Sequence, residues 1–148
     1  METITIVLKG EPMPKQSVRQ GKAFGTGKKI FYQPKKFKDR QADYIRQIKS
    51  QLPKGFKMFT KIVYIEMLEV MYSPNSSHLK SKKKLDFLMN GGIIEKTTNP
   101  DIMDNLNKLP FDCLSGLVFK DDGLICRANN ISKVYGHTGQ ITIIIQGE

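Results

Sequence analysis

Residues 3–8 are almost all β-branched, with Thr3 and Thr5 alternating with Ile4 and Ile6, and this pattern predicts a first strand. The alternation stops over residues 10–29, where Pro12, Pro14, Gly21, Gly25 and Gly27 punctuate a basic stretch. Such a segment predicts a loop or irregular hairpin, closed by residues 30–32. The period then changes. Pro34 has the fixed φ and missing N–H that suit a first helical turn. From there Phe37, Tyr44, Ile45, Ile48 and Leu52 recur at helical spacing, until Leu52-Pro53 and Gly55 end the helix. Residues 61–71 are β-rich and apolar on both faces, which predicts a central strand interrupted by Glu66 and Glu69. A short helix is expected over 79–89, with a loop after it at Gly91-Gly92. A further helix is expected over 104–114, offering Leu106, Leu109, Cys113 and Leu114 to the core. Pro110 bends it or shortens its first part, and Gly116 stops it. Residues 123–135 and 140–146 read as two strands joined by the turn Gly136-His137-Thr138-Gly139. The sum is an α+β fold. One domain over 1–148 is expected, with a mixed sheet of about four to five strands and helices packed mainly on one face in β-α-β units.

Composition narrows the class. A chain of 148 residues, 39% hydrophobic and 26% charged, suits one soluble globular core. Its longest apolar runs, at 62–71 and 141–145, are too short to span a bilayer, and the N-terminus lacks the layout of a secretory signal. No membrane partner is expected. Cys113 and Cys126 form no CxxC pair, which argues against a zinc ribbon and a disulfide framework and for a cytoplasmic protein.

Charge changes the picture most. The chain carries a formal net charge of +10, but residues 1–61 hold a net +11 and residues 62–148 a net −1. A basic half beside a nearly neutral half with a concentrated acidic spot suits a protein that holds a polyanion against metal-binding carboxylates. Lys15, Arg19, Lys22, Lys28 and Lys29 in the N-terminal loop, Lys35 and Lys36 after it, and the run Lys80, Lys82, Lys83 and Lys84 are the candidate phosphate contacts. The same lysines also fit a merely solvated surface.

Two acidic patches lie about twenty residues apart, at Asp101 and Asp104 and at Asp121 and Asp122. Hard cations such as Mg²⁺ take oxygen ligands and only a few carboxylates, which leaves positions for water and phosphate oxygen. Asp101 and Asp104 share a face if both are helical, whereas an extended Asp101 would leave Asp104 as a helix N-cap. Asp121-Asp122-Gly123 also suits a simple turn. Lys108 stands one turn after Asp104, where an ammonium can stabilise charge developing on a phosphoryl group. His78 and His137 have no metal-ligand spacing and read as solvated loop residues.

These residues resemble a known family. Asn99-Pro100-Asp101-Ile102-Met103-Asp104-Asn105-Leu106-Asn107-Lys108, then Asp112-Cys113-Leu114-Ser115-Gly116, then Lys120-Asp121-Asp122, are similar to the signature of the RusA family of Holliday junction resolvases. That signature runs approximately K-P-D-x-D-N-L-x-K, D-A-L-N-G and K-D-D-x-Q-I. Phe31-Tyr32-Gln33-Pro34-Lys35-Lys36 is similar to the family's Y-x-P-K-K, and the Ser- and Lys-rich segment before Thr97-Thr98 to one found in phage and prophage members. The resemblance implies a RusA-like fold and a bacterial, phage- or prophage-type protein. It also implies a homodimer that binds branched DNA (four-way junctions) and cuts two strands using Mg²⁺ or Mn²⁺. It further implies Asp101, Asp104 and Asp122 as the essential metal-binding aspartates, Lys108 as the functional lysine and Asp121 as an auxiliary ligand. Asp101-Ile102-Met103-Asp104 is one residue longer than the family's D-x-D, Asn99 replaces a frequent basic residue, and Gly123-Leu124-Ile125 departs from x-Q-I. A non-catalytic basic module that binds structured DNA or RNA is the alternative the charges alone permit.

Overall fold

The computed structural model describes residues 1–14, 19–22, 27, 29–32, 34–101 and 106–148, with the backbone alone at 19–22 and 29–32. Strand β1 (Glu2–Lys9) buries Ile4, Ile6 and Leu8 and leaves Thr3 and Thr5 in solvent, as its alternation predicts. Strands β2 (Arg19–Lys22) and β3 (Lys29–Tyr32) form a separate antiparallel hairpin, the one expected for the basic loop. Helix α1 (Lys35–Gln51) begins after Pro34 and buries Phe37, Tyr44 and Ile48. Gly10 lets the chain pass this helix: its φ is 123°, and a Cβ there would sit 2.8 Å from the Arg40 guanidinium.

Strand β4 (Val63–Tyr72) is central. After α2 (Ser76–Leu79), α3 (Lys82–Met89), β5 (Ile94–Glu95) and α4 (Lys108–Leu114) come β6 (Ile125–Ala128), β7 (Ile131–Tyr135) and β8 (Gln140–Gly147). The main sheet has six strands, in the order β1-β8-β4-β7-β5, with β6 also paired to β4. Both β1 and β4 run antiparallel to β8, so β1-α1-β4 is a β-α-β unit split by the last strand.

A bulge in β4 lets one face stay apolar throughout. Val63 and Ile65 point inward, the register with β8 slips between Ile65 and Met67, and Leu68 and Val70 then point inward in turn. Without that extra residue, Leu68 and Val70 would rotate to the outer face. Ile141, Ile143 and Ile145 of β8, Phe37, Tyr44 and Ile48 of α1, and Leu109, Cys113 and Leu114 of α4 join the same buried cluster. The helices that contribute to the core therefore cover one face. On the opposite face of β4 Met71 is buried but Tyr64, Met67 and Glu69 are only half-buried, so it is less covered than its apolar sequence suggests, and Arg127 lies over the Tyr64 ring there, 4.8 Å from its centroid.

Three expectations need correction. The expected strand over 123–135 is two strands, because Asn130 adopts φ 47° and the pairing along β4 moves from β6 to β7 at that point. Strands β7 and β8 are not a hairpin: they flank β4 on opposite sides, and residues 136–139 carry the chain over its end, where the Gly136 N–H donates to the Tyr72 carbonyl at 2.9 Å. The expected helix over 79–89 is broken at Lys80-Ser81, since the Ser81 hydroxyl caps α3 by accepting from the Lys84 N–H.

The two cysteines differ in environment. Burial pushes the Cys113 thiol up to about 12, whereas Cys126 is exposed on β6, and both are free. Titration of the native protein with a thiol reagent should therefore label Cys126 alone, with Cys113 reacting only on unfolding.

Candidate active site

Asp121 and Asp122 precede β6 and the Asp101 segment is held to β7, and both strands pair with the edge of β4 opposite β8. Asp121 and Asp122 lie together just before β6, whose Ile125 sits opposite Val63. Both carboxylates are exposed. The Asp121 carboxylate accepts the Gly123 N–H at 2.9 Å and so caps a single 3₁₀ turn, Asp122–Leu124. The Asp122 carboxylate makes no hydrogen bond or ion pair with any described residue. The segment is anchored from behind by two backbone bonds of 2.9 Å, Lys120 N–H to the Phe59 carbonyl and Phe59 N–H to the Val118 carbonyl.

Asp101 is exposed at the end of a strap over residues 96–101, which continues from the β5-β7 pairing and is held to Lys133 of β7. Lys133 of β7 donates to the carbonyls of Thr98, at 2.7 Å, and Pro100, at 2.9 Å. Lys96 donates to the Thr98 hydroxyl at 2.8 Å and to the Tyr135 hydroxyl at 3.0 Å, and its ammonium lies 4.9 Å from the centroids of both Tyr72 and Tyr135. The Lys96 ammonium holds the Tyr135 hydroxyl below its ordinary pKa, while burial pushes Tyr72 up to about 12. His78 belongs to this region and is not a solvated loop residue. It is buried, its ring meets Tyr135 edge-on at 4.8 Å, and it closes a capping box with Asn75.

Beyond the strap, the Leu106 N–H donates to the Asp101 carbonyl at 3.1 Å, and α4 starts at Lys108 with Pro110 as its third residue. A proline in a first turn removes only an N–H that has no helical partner, which explains a helix that begins later than its apolar spacing suggests. Leu109, Cys113 and Leu114 face the core, leaving Lys108 and Asp112 in solvent. Asp104 lies outside the described residues. Among those described, no group of three or more His, Cys, Asp or Glu side chains converges on one point.

The donors this region offers are Asp101, Asp121 and Asp122, exposed carboxylates with no imidazole or thiolate beside them in sequence. An oxygen-only, water-accessible set suits Mg²⁺ or Mn²⁺ rather than zinc.

The model of the family described as Endodeoxyribonuclease RusA matches residues 9–146, from the end of β1 to the end of β8 and across both acidic segments. The chain belongs to the RusA family. No curated protein matches it. RusA membership makes the chain a structure-specific DNA endonuclease of the kind that resolves Holliday junctions. In this RusA chain the lysines expected to hold DNA are distributed over several elements. Lys35 and Lys36 are exposed in the first turn of α1, where no acidic residue offsets them. Lys82, Lys83 and Lys84 are exposed in the first turn of α3, and Lys80 is exposed at the end of α2. Arg19, Lys22 and Lys29 belong to the β2-β3 hairpin, described at the level of its backbone, and Lys15 and Lys28 lie outside the described residues. The sequence singled out neither Lys96 nor Lys133, although a lysine inside a short, otherwise β-forming run such as 131–135 was a visible signal.

Proposed function

We propose that this chain resolves four-way DNA junctions as a homodimer, by paired, Mg²⁺- or Mn²⁺-dependent phosphodiester hydrolysis in recombination and repair. The observation that carries the reading is the RusA match across residues 9–146, which includes exposed carboxylates both before and after α4. Asp101, Asp104 and Asp122 hold the metal, with Asp121 in support. When bound, the ion supplies positive charge at the scissile phosphate and acidifies a coordinated water. Lys108 places an ammonium on the solvent side of α4, where it stabilises charge developing on the phosphoryl oxygens. The lysines of the hairpin, α1, α2 and α3 neutralise phosphates and hold the junction arms. Two protomers related by a two-fold axis match the pseudo-symmetry of a four-way junction, so each cuts one strand and leaves a 5′ phosphate and a 3′ hydroxyl. A cytoplasmic bacterial setting, on phage or prophage DNA, fits this role.

A labelled synthetic four-way junction tests the reading directly. Incubation with Mg²⁺ or Mn²⁺ should give symmetrically paired nicks, and junction binding without incision at any divalent metal would overturn it. The basic run makes a separate prediction. Changing Lys80, Lys82, Lys83 and Lys84 together to Ala should weaken junction binding and lower the slope of log Kd against log salt by about one for each phosphate no longer neutralised. An unchanged slope would leave these lysines as a solvated surface.

A further inference from the structure

We propose that Lys133 is a positioning residue that fixes the direction of the Asp101 side chain for metal binding, an inference that rests on reading Asp101 as a ligand. Two peptide planes meet at the Asp101 Cα, and each is held by a hydrogen bond. The plane before it is held through the Pro100 carbonyl, which accepts from the Lys133 ammonium at 2.9 Å. The plane after it is held through the Asp101 carbonyl, which accepts from the Leu106 N–H at 3.1 Å. Because a peptide unit is rigid, fixing both planes fixes φ and ψ of Asp101 and hence the direction of its Cβ.

Lys133 suits this task. It is half-buried on β7, and two of its three donors go to carbonyls two residues apart, at Thr98 and Pro100. Bonds from a charged donor are stronger than neutral ones. Thr98 is held a second time, through its hydroxyl, by Lys96, and the Lys96 N–H donates to the Lys133 carbonyl at 3.0 Å. The two lysines thus form one brace, with the Lys96 ammonium seated between the rings of Tyr72 and Tyr135. A carboxylate presented in a fixed direction binds a metal without first losing backbone freedom.

The test compares Lys133→Met, which keeps the chain length and removes the ammonium, with Lys133→Arg and Asp101→Asn. Mn²⁺ affinity is read without DNA, by electron paramagnetic resonance, and the incision rate on saturating junction is read against Mg²⁺ concentration. Lys133→Met should weaken Mn²⁺ binding about tenfold, the scale on which partners that orient a ligand act. The half-saturating Mg²⁺ concentration should rise by the same factor, the rate at saturating metal should fall far less, and Lys133→Arg should recover part of the loss. Wild-type Mn²⁺ affinity in Lys133→Met, with affinity lost in Asp101→Asn, would overturn the positioning role and leave the site intact. Unchanged affinity in Asp101→Asn as well would remove Asp101 from the site, and the positioning role with it. Should Lys133→Met fail to fold, hydrogen exchange of the wild-type Lys96 amide, which donates to the Lys133 carbonyl, decides: protection is expected, and free exchange would overturn the brace.

Discussion

Asp122→Asn should leave a folded protein that binds a four-way junction as tightly as the wild type and incises it about a thousandfold more slowly, the scale lost when a preorganised charge is removed from a transition state. The substitution keeps the shape of the side chain and removes its charge. Because the Asp122 carboxylate is exposed and has no partner among the described residues, its loss should cost the fold almost nothing. Incision is read on labelled strands in Mg²⁺, and binding by mobility shift in Ca²⁺. Asp121→Asn is the internal comparison. Its amide oxygen can still accept the Gly123 N–H that the Asp121 carboxylate accepts at 2.9 Å, so the turn survives and the smaller loss of rate measures an auxiliary ligand. Wild-type incision by Asp122→Asn would show that the metal site is built without it.

Ile143→Ala should destabilise the protein by about 3 kcal/mol, which for a chain of this size lowers the thermal midpoint by about 10 °C. Ile143 is fully buried on β8, opposite Ile6 of β1 and Leu68 of β4, so truncation opens a cavity where the two halves of the sheet meet. Relaxation cannot close it easily, because strands on both sides fix its walls. Ile144→Ala, one residue along and on the half-exposed face, should cost about 1 kcal/mol or less. Equal losses from the two variants in urea titrations would show that the buried face is misassigned.

Elements whose signal is local were legible in the residues. Pro34 and the spacing of Phe37, Tyr44 and Ile48 place α1, and the threonine–isoleucine alternation places β1 with its inward face. What was lost is non-local. Periodicity says which side of a strand is buried, not which strand lies beside it, so residues 136–139 read as a hairpin turn when they cross the end of β4. The bulge at Glu66 is likewise a matter of pairing: the Asn130 side chain donates to the Glu66 carbonyl at 3.1 Å from 64 residues away. His78 read as solvated because the Tyr135 ring that covers it comes from a distant strand. The acids of the candidate site stood out through their motif. Lys133 did not, because its partners are backbone carbonyls 33 and 35 residues distant, and a carbonyl carries no sequence signal.

The placement of β8 governs when the protein can fold. Strand β8 lies between β1 and β4 and pairs Ile6 with the sequence-distant Ile143. Among the described residues β1 pairs with β8 alone, so until residues 140–147 insert, β1 has no such neighbour and β4 keeps an open edge. Completing the sheet is therefore dominated by distant contacts, a topology that folds on the slow side for its size. Unpaired edges that wait this long are also templates for other chains, and a nascent copy next to another can exchange the same strand between them. The time before β8 inserts, not the stability of the finished sheet, is when this chain is most exposed to misassembly.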